Sequence, residues 1–209
     1  MVVLTLTLAM LLQASVVHTA PRPVLPEGFF YVEKENPEYK TYSGVRRKAI
    51  ALIRAAGTNT GNNLSAAAIT RGEEVIQALD SAEFAVSTNA SSEAICKNND
   101  SAFFVNAIWP GVIFICGPSR IALTAHVDAK NLLMAAQLLI HEGMHLIDYK
   151  KFGRSEECSA TYFELLIMEN NYGRRKIPTM SNRDAYKKQC GFEEYDDVPS
   201  TNREGERGL

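Results

Sequence analysis

The chain has 209 residues, of which 46% are hydrophobic and 22% charged, with a formal net charge of −2. This length holds one domain with a sizeable core and leaves little room for a second. The near-neutral balance excludes a protein built around a strongly basic nucleic-acid face, and the ordinary composition excludes a disordered chain.

The first twenty residues, MVVLTLTLAMLLQASVVHTA, contain no Asp, Glu, Lys or Arg. Their apolar stretch is short for a bilayer span and fits the apolar region of a signal peptide, so residues 1–20 are read as one. A buried N-terminal strand or an uncleaved anchor is the alternative. Two other features agree with export. The cysteines are Cys96, Cys116, Cys158 and Cys190, and the shorter loops favour Cys96 with Cys116 and Cys158 with Cys190. N-x-S/T sequons stand at Asn63, Asn89 and Asn99, which are glycosylation acceptors in an exported chain. No later segment is long and apolar enough to span a membrane. The expectation is a secreted, monomeric protein with no membrane contact once the signal peptide is removed.

Residues 21–40 are rich in proline and charge and are expected to form an extended arm, with an early strand around 29–32. The periodic run VRRKAIALIRAA predicts a helix over 43–56, stopped by Gly57. After the loop TNTGNN, Ser65 caps a second predicted helix reaching about Leu79, with Ile69, Val75, Ile76 and Leu79 as its buried stripe. Residues 82–101 are expected to be surface loops with a short strand near 84–86. Two apolar runs, 102–108 and 112–116, flank Trp109-Pro110-Gly111 and predict a β-hairpin. The longest periodic segment follows, with Asp128 as N-cap, Lys150 and Lys151 in the last turn and Gly153 as terminator. It is apolar nearly all round, so it should be buried on most sides. Ser155 can cap a further helix from 156 to about 170. A short helix is expected over 182–189, and residues 193–209 read as a mobile charged tail.

Chemistry concentrates in the long helix. His141-Glu142-Gly143-Met144-His145 matches H-E-x-x-H. Side chains four apart project from one helical face, so two imidazoles can reach one metal ion. Glu142 beside them can reach a water on that ion and take its proton as it attacks a carbonyl. Two histidines and a glutamate in so apolar a helix each need a buried partner, which a metal and its water would supply. Zinc needs a third protein ligand, and the next helix offers Glu156 and Glu157.

At these residues the chain resembles the zincin metallopeptidases, and more narrowly the gluzincin branch, in which a Glu on the following helix completes the site. Glu157-Cys158-Ser159-Ala160 fits the E-x-x-A pattern of small members, which favours Glu157 over Glu156 as third ligand. Thr161 stands where Asp or Asn is expected, so the usual hydrogen bond to a ligand histidine is in question. Glu164 shares a face with Glu157 and is expected to be exposed or to support a ligand. Asp148 is a supporting candidate, and His126 a surface or capping residue. The resemblance implies that the strand 112–116 pairs with extended substrate, an interior strand being the alternative, and that a tyrosine among Tyr149, Tyr162, Tyr172, Tyr186 and Tyr195 assists the oxyanion. A Cys158–Cys190 bridge would hold the third ligand in register.

The fold implied is α+β and zincin-like. A small mixed sheet with an edge hairpin packs on the active-site helix, the third-ligand helix follows, and residues 41–192 form the catalytic domain. The function implied is zinc-dependent hydrolysis of a peptide or protein substrate, with Zn2+ on His141, His145 and Glu157 and with Glu142 as base. A secreted zincin-fold protein that binds without catalysis, or a metal-dependent hydrolase of other substrates, is the rival.

Overall fold

The computed structural model describes residues 21–59, 64–87, 96, 103–117, 120, 123, 128–173 and 190. The signal-peptide segment, the sequons at Asn63, Asn89 and Asn99, His126, the helix expected over 182–189 and the C-terminal tail lie outside the described residues. In chain order the named elements are β1 (Phe29–Tyr31), α1 (Pro37–Thr58), α2 (Ala66–Ser81), β2 (Glu83–Ser87), β3 (Val112–Ile115), α3 (Ala129–Phe152) and α4 (Glu157–Tyr172). The fold is α+β.

Helix α1 starts six residues before the predicted 43. Asn36 accepts a hydrogen bond from the Glu38 backbone N–H through its side chain, and Pro37 occupies the first turn. Both are start signals, since proline lacks only an N–H that would be unpaired there. The extended arm therefore ends near residue 28, not 40. It lies along the sheet: Arg22 Nε is 2.7 Å from Glu83, Tyr31 donates to the Pro23 carbonyl at 2.7 Å, and the Trp109 indole N–H donates to the Val24 carbonyl at 2.8 Å.

The sheet order is β1-β2-β3, antiparallel between β1 and β2 and parallel between β2 and β3. The predicted hairpin is not formed as a ladder. Phe104 alone bridges Phe114, exchanging both backbone hydrogen bonds at 3.1 and 2.8 Å. Residues 106–111 are spent on turns, with Ile108 N–H bonded to the Asn106 side chain and the N–H of Val112, where β3 begins, to the Trp109 carbonyl. The run Val-Ile-Phe-Ile of β3 is buried throughout, as suits a strand covered on both faces. Alternate residues divide between two clusters. Phe84, Val86, Ile113 and Ile115 join the helices, whereas Ala85, Val112 and Phe114 pack with Phe29, Phe104 and Cys116 on the far face. A Cys96–Cys116 disulfide closes that far face.

Helix α3 packs against α1, α2 and α4, which its nearly all-round apolar surface requires. Asp128 accepts from the Asn131 backbone N–H, and Gly153 ends the helix at φ 68°, a left-handed conformation that favours glycine. Ser65 caps α2 as expected, and Val75, Ile76 and Leu79 are buried, but Ile69 is 41% exposed. Its place in the stripe is taken by Gly72, buried against Ile53 of α1. At the start of α4 the capping position belongs to Glu156, not Ser155.

Gly143, inside the H-E-x-x-H run, is where α2 meets α3. A methyl group there would stand 2.7 Å from Val75 Cγ1 and 3.2 Å from Leu79 Cγ. Overpacking of this kind costs about 1–3 kcal/mol, while alanine regains up to about 1 kcal/mol in helix propensity. Gly143→Ala should therefore lower stability by roughly 1–2 kcal/mol in urea unfolding; an unchanged midpoint would show that the helices part without cost.

Arg120 ties α1 to the end of β2. Its guanidinium donates to Glu38 at 2.7 and 2.8 Å and to the Ser87 carbonyl at 3.0 Å, while Tyr42 donates to Glu38 at 3.0 Å. The hydrogen bonds from Arg120 hold the Glu38 carboxyl below its ordinary value of 4.5. A depressed carboxyl stabilises the fold above its unfolded value, and that contribution is lost as pH falls through the folded one. Glu38→Gln should thus be less stable than the parent at pH 7, by at most about 1 kcal/mol for so accessible a pair. The two should converge only as pH falls below the folded Glu38 value, which lies under 4.5.

Candidate metal centre

Helix α3 turns at Gly153, and α4 packs back along it. This places the first turn of α4 beside the histidine face of α3. Glu157 Oε2 lies 3.2 Å from His141 Nε2, and Glu157 Oε1 lies 3.3 Å from His145 Nε2. The two Nε2 atoms are 3.0 Å apart, with the rings at 82° to one another. His141, His145 and Glu157 form a group able to hold a metal ion. Glu157 rather than Glu156 is the carboxylate brought to both imidazoles. Neither Asp148 nor Glu164 joins the group.

The separations fit a cation. Ligands about 2.0 Å from a tetrahedral ion stand about 3.3 Å apart, close to the three distances above. The donor chemistry fits as well. With hydrogens on the outer ring nitrogens, two lone pairs and a carboxylate face one point with no donor among them, and a cation satisfies all three. A proton on His141 Nε2 is the substitute when no cation is bound. Burial alone would lower the His141 pKa, but hydrogen bonds to Glu157 and Glu164 outweigh it and hold the ring up to about 10. Hydrogen bonds from the same two imidazoles push the Glu157 carboxyl far below its usual range. His145 is 5% exposed, and its outer nitrogen, Nδ1, has no hydrogen-bond partner among the described residues. Its polar engagement is therefore with the shared centre.

Glu142 is buried next to these groups. Burial pushes its carboxyl up to about 7, against the pull of His141, His145 and the Val105 backbone N–H. Because Phe104 turns its own N–H and C=O toward Phe114, the backbone groups of Val105 face the opposite way. The outer edge of β3 is thus taken at Phe114, and the backbone bordering Glu142 is that of residue 105. The strand expected to pair with substrate is accordingly not free along its length.

Glu164 is the site residue whose role was least legible. Its Oε2 accepts from His141 Nδ1 at 3.2 Å, and its Oε1 accepts from the Gln137 amide. The hydrogen bond that Thr161 put in question is made here one helical turn later. Asp148 is buried at the other side, 3.8 Å from Arg71; burial raises its carboxyl and Arg71 offsets part of that rise. Among the tyrosines, the Tyr149 ring lies 6.3 Å from the His145 ring, while Tyr186 and Tyr195 lie outside the described residues. Cys158, next to Glu157, is bonded to Cys190, so the second disulfide pairs as expected.

Two disulfides and the absence of free cysteine among the described residues agree with an oxidising environment. No helix among the described residues is long and apolar enough to cross a membrane. Compared with protein-family models, curated proteins and solved structures, the chain has no match, so the geometry of His141, His145 and Glu157 carries the functional reading.

Proposed function

We propose that the protein is a secreted, zinc-dependent peptidase of zincin type, in which His141, His145 and Glu157 hold the metal and Glu142 acts as general base. The observation that carries this reading is the convergence of two imidazoles and one carboxylate, 3.0 to 3.3 Å apart, beside a second, buried acid. Nitrogen and oxygen donors in a three-ligand set leave one position open, as in catalytic zinc sites. A zinc ion there would supply Lewis-acid activation of water and of a substrate carbonyl.

The chain's own groups do the rest. Glu142 does not join the metal-holding group, so its carboxylate is available to take and return a proton. A carboxyl held near neutrality can do both at working pH. The Val105 N–H is given to the Glu142 carboxyl, so backbone pairing with an extended peptide, which is indifferent to side chains, would fall to the carbonyl side of this segment. Glu157 and Cys158 are adjacent, so the bridge to Cys190 restrains the third ligand's helix. The disulfides and the sequons at Asn63, Asn89 and Asn99 support secretion.

Metal removal tests the reading. Dialysis against a chelator should abolish cleavage of a mixed fluorogenic peptide library, and stoichiometric Zn2+ should restore it. Turnover that persists in metal-depleted protein would contradict the mechanism. Zinc binding with no turnover on any peptide would favour a binding protein instead.

A further inference from the structure

We propose that Gln137 and Glu164 act together as a positioning pair that fixes the ring orientation and tautomer of His141, and thereby sets the affinity of the centre for a divalent cation. This rests on the reading of His141, His145 and Glu157 as metal ligands. Gln137 precedes His141 by one turn of α3, and Glu164 follows Glu157 by two turns of α4. The two helices are therefore joined twice, once at the metal-holding groups and once behind them.

Both side chains are buried, at 6% and 9% exposure. A buried carboxylate is costly unless its oxygens receive donors, and each oxygen of Glu164 has one. Gln137 Nε2 donates to Oε1, and His141 Nδ1 meets Oε2 at 3.2 Å. With Oε1 taken by the Gln137 amide, Oε2 is placed to accept from His141 Nδ1, which would keep that hydrogen on Nδ1 and point the Nε2 lone pair of a metal-binding ring to the centre. Gln137 reaches the centre through this bond to the Glu164 carboxylate, which it fixes. Partners of this kind alter metal affinity by roughly 10- to 100-fold. His145 is held differently, because its Nδ1 is buried without a hydrogen-bond partner among the described residues. The pair thus orders one ligand ring of the two.

The test uses the full chain, with zinc affinity from chelator competition and His141 ring 15N shifts in zinc-loaded protein. Glu164→Ala should weaken zinc roughly 10- to 100-fold, and Gln137→Leu should weaken it several-fold. The double variant should be no worse than Glu164→Ala alone, because Gln137 acts through Glu164. Glu164→Gln keeps an acceptor for Nδ1 and a partner for a flipped Gln137, so it should fold, keep the tautomer and lose only a few-fold. Parent-like affinity in Glu164→Ala and Glu164→Gln, or additive losses in the double variant, would overturn the pair. His141→Ala separates the two readings. If it loses zinc while the Glu164 variants do not, only the positioning role falls. If it binds zinc like the parent, the metal centre falls with it.

Discussion

Replacing Glu142 by Gln is expected to lower kcat on peptide substrates by roughly 10²- to 10⁴-fold, the usual contribution of a positioned base, while zinc affinity stays unchanged. The amide has the shape of the acid and can still accept from the Val105 N–H, but it cannot take a proton. Zinc affinity should hold because Glu142 lies outside the metal-holding group. A second readout separates this role from a structural one. Burial raises the Glu142 carboxyl from 4.5 to about 7, so ionising it opposes folding. With a raised folded pKa, the favourable contribution is complete below the unfolded value and is lost as pH rises through the folded one. Metal-free Glu142→Gln should therefore match the parent near pH 4 and exceed it in urea resistance near pH 8. Activity that survives the substitution would remove Glu142 from the reaction.

Replacing Glu157 by Ala is expected to weaken zinc by more than about 100-fold, beyond the range for residues that merely support a ligand. Glu157 alone approaches both imidazoles, at 3.2 and 3.3 Å, and its side chain is 61% exposed. Its loss should thus barely affect the fold, by no more than about 1 kcal/mol for a surface acid at a helix start. Glu156→Ala is the matched control and should bind zinc like the parent. Equal losses in the two variants would mean that acidity at the start of α4 matters rather than one carboxylate's position.

The elements that carry the centre were legible because their ends are marked chemically. Asp128 and Gly153 bound α3, Ser65 opens α2, and the histidine spacing places both rings on one face. The start of α1 carried an equally good mark in Asn36-Pro37-Glu38, hidden within a stretch whose proline content suggested an arm. The hairpin failed for a non-local reason. Both flanks of Pro110-Gly111 suit a strand, but residues 112–115 are apolar on both faces and pair in parallel with β2, leaving Phe104 a single bridge. Ile69 had the right period, yet it is Gly72 that faces Ile53 of α1, where there is no side chain to count as apolar. Glu164 and Gln137 were within reach: each stands whole turns from a ligand on its own helix, and a buried carboxylate facing a histidine needs a donor for its second oxygen.

Zinc-edge X-ray absorption on the purified full chain tests the metal centre most directly. One zinc per chain is expected, with two imidazole rings and only nitrogen or oxygen donors at about 2.0 Å, and loss of that signal in His141→Ala/His145→Ala. A chain that takes up no metal, or a zinc ion bound through sulfur or retained by the double variant, would contradict it.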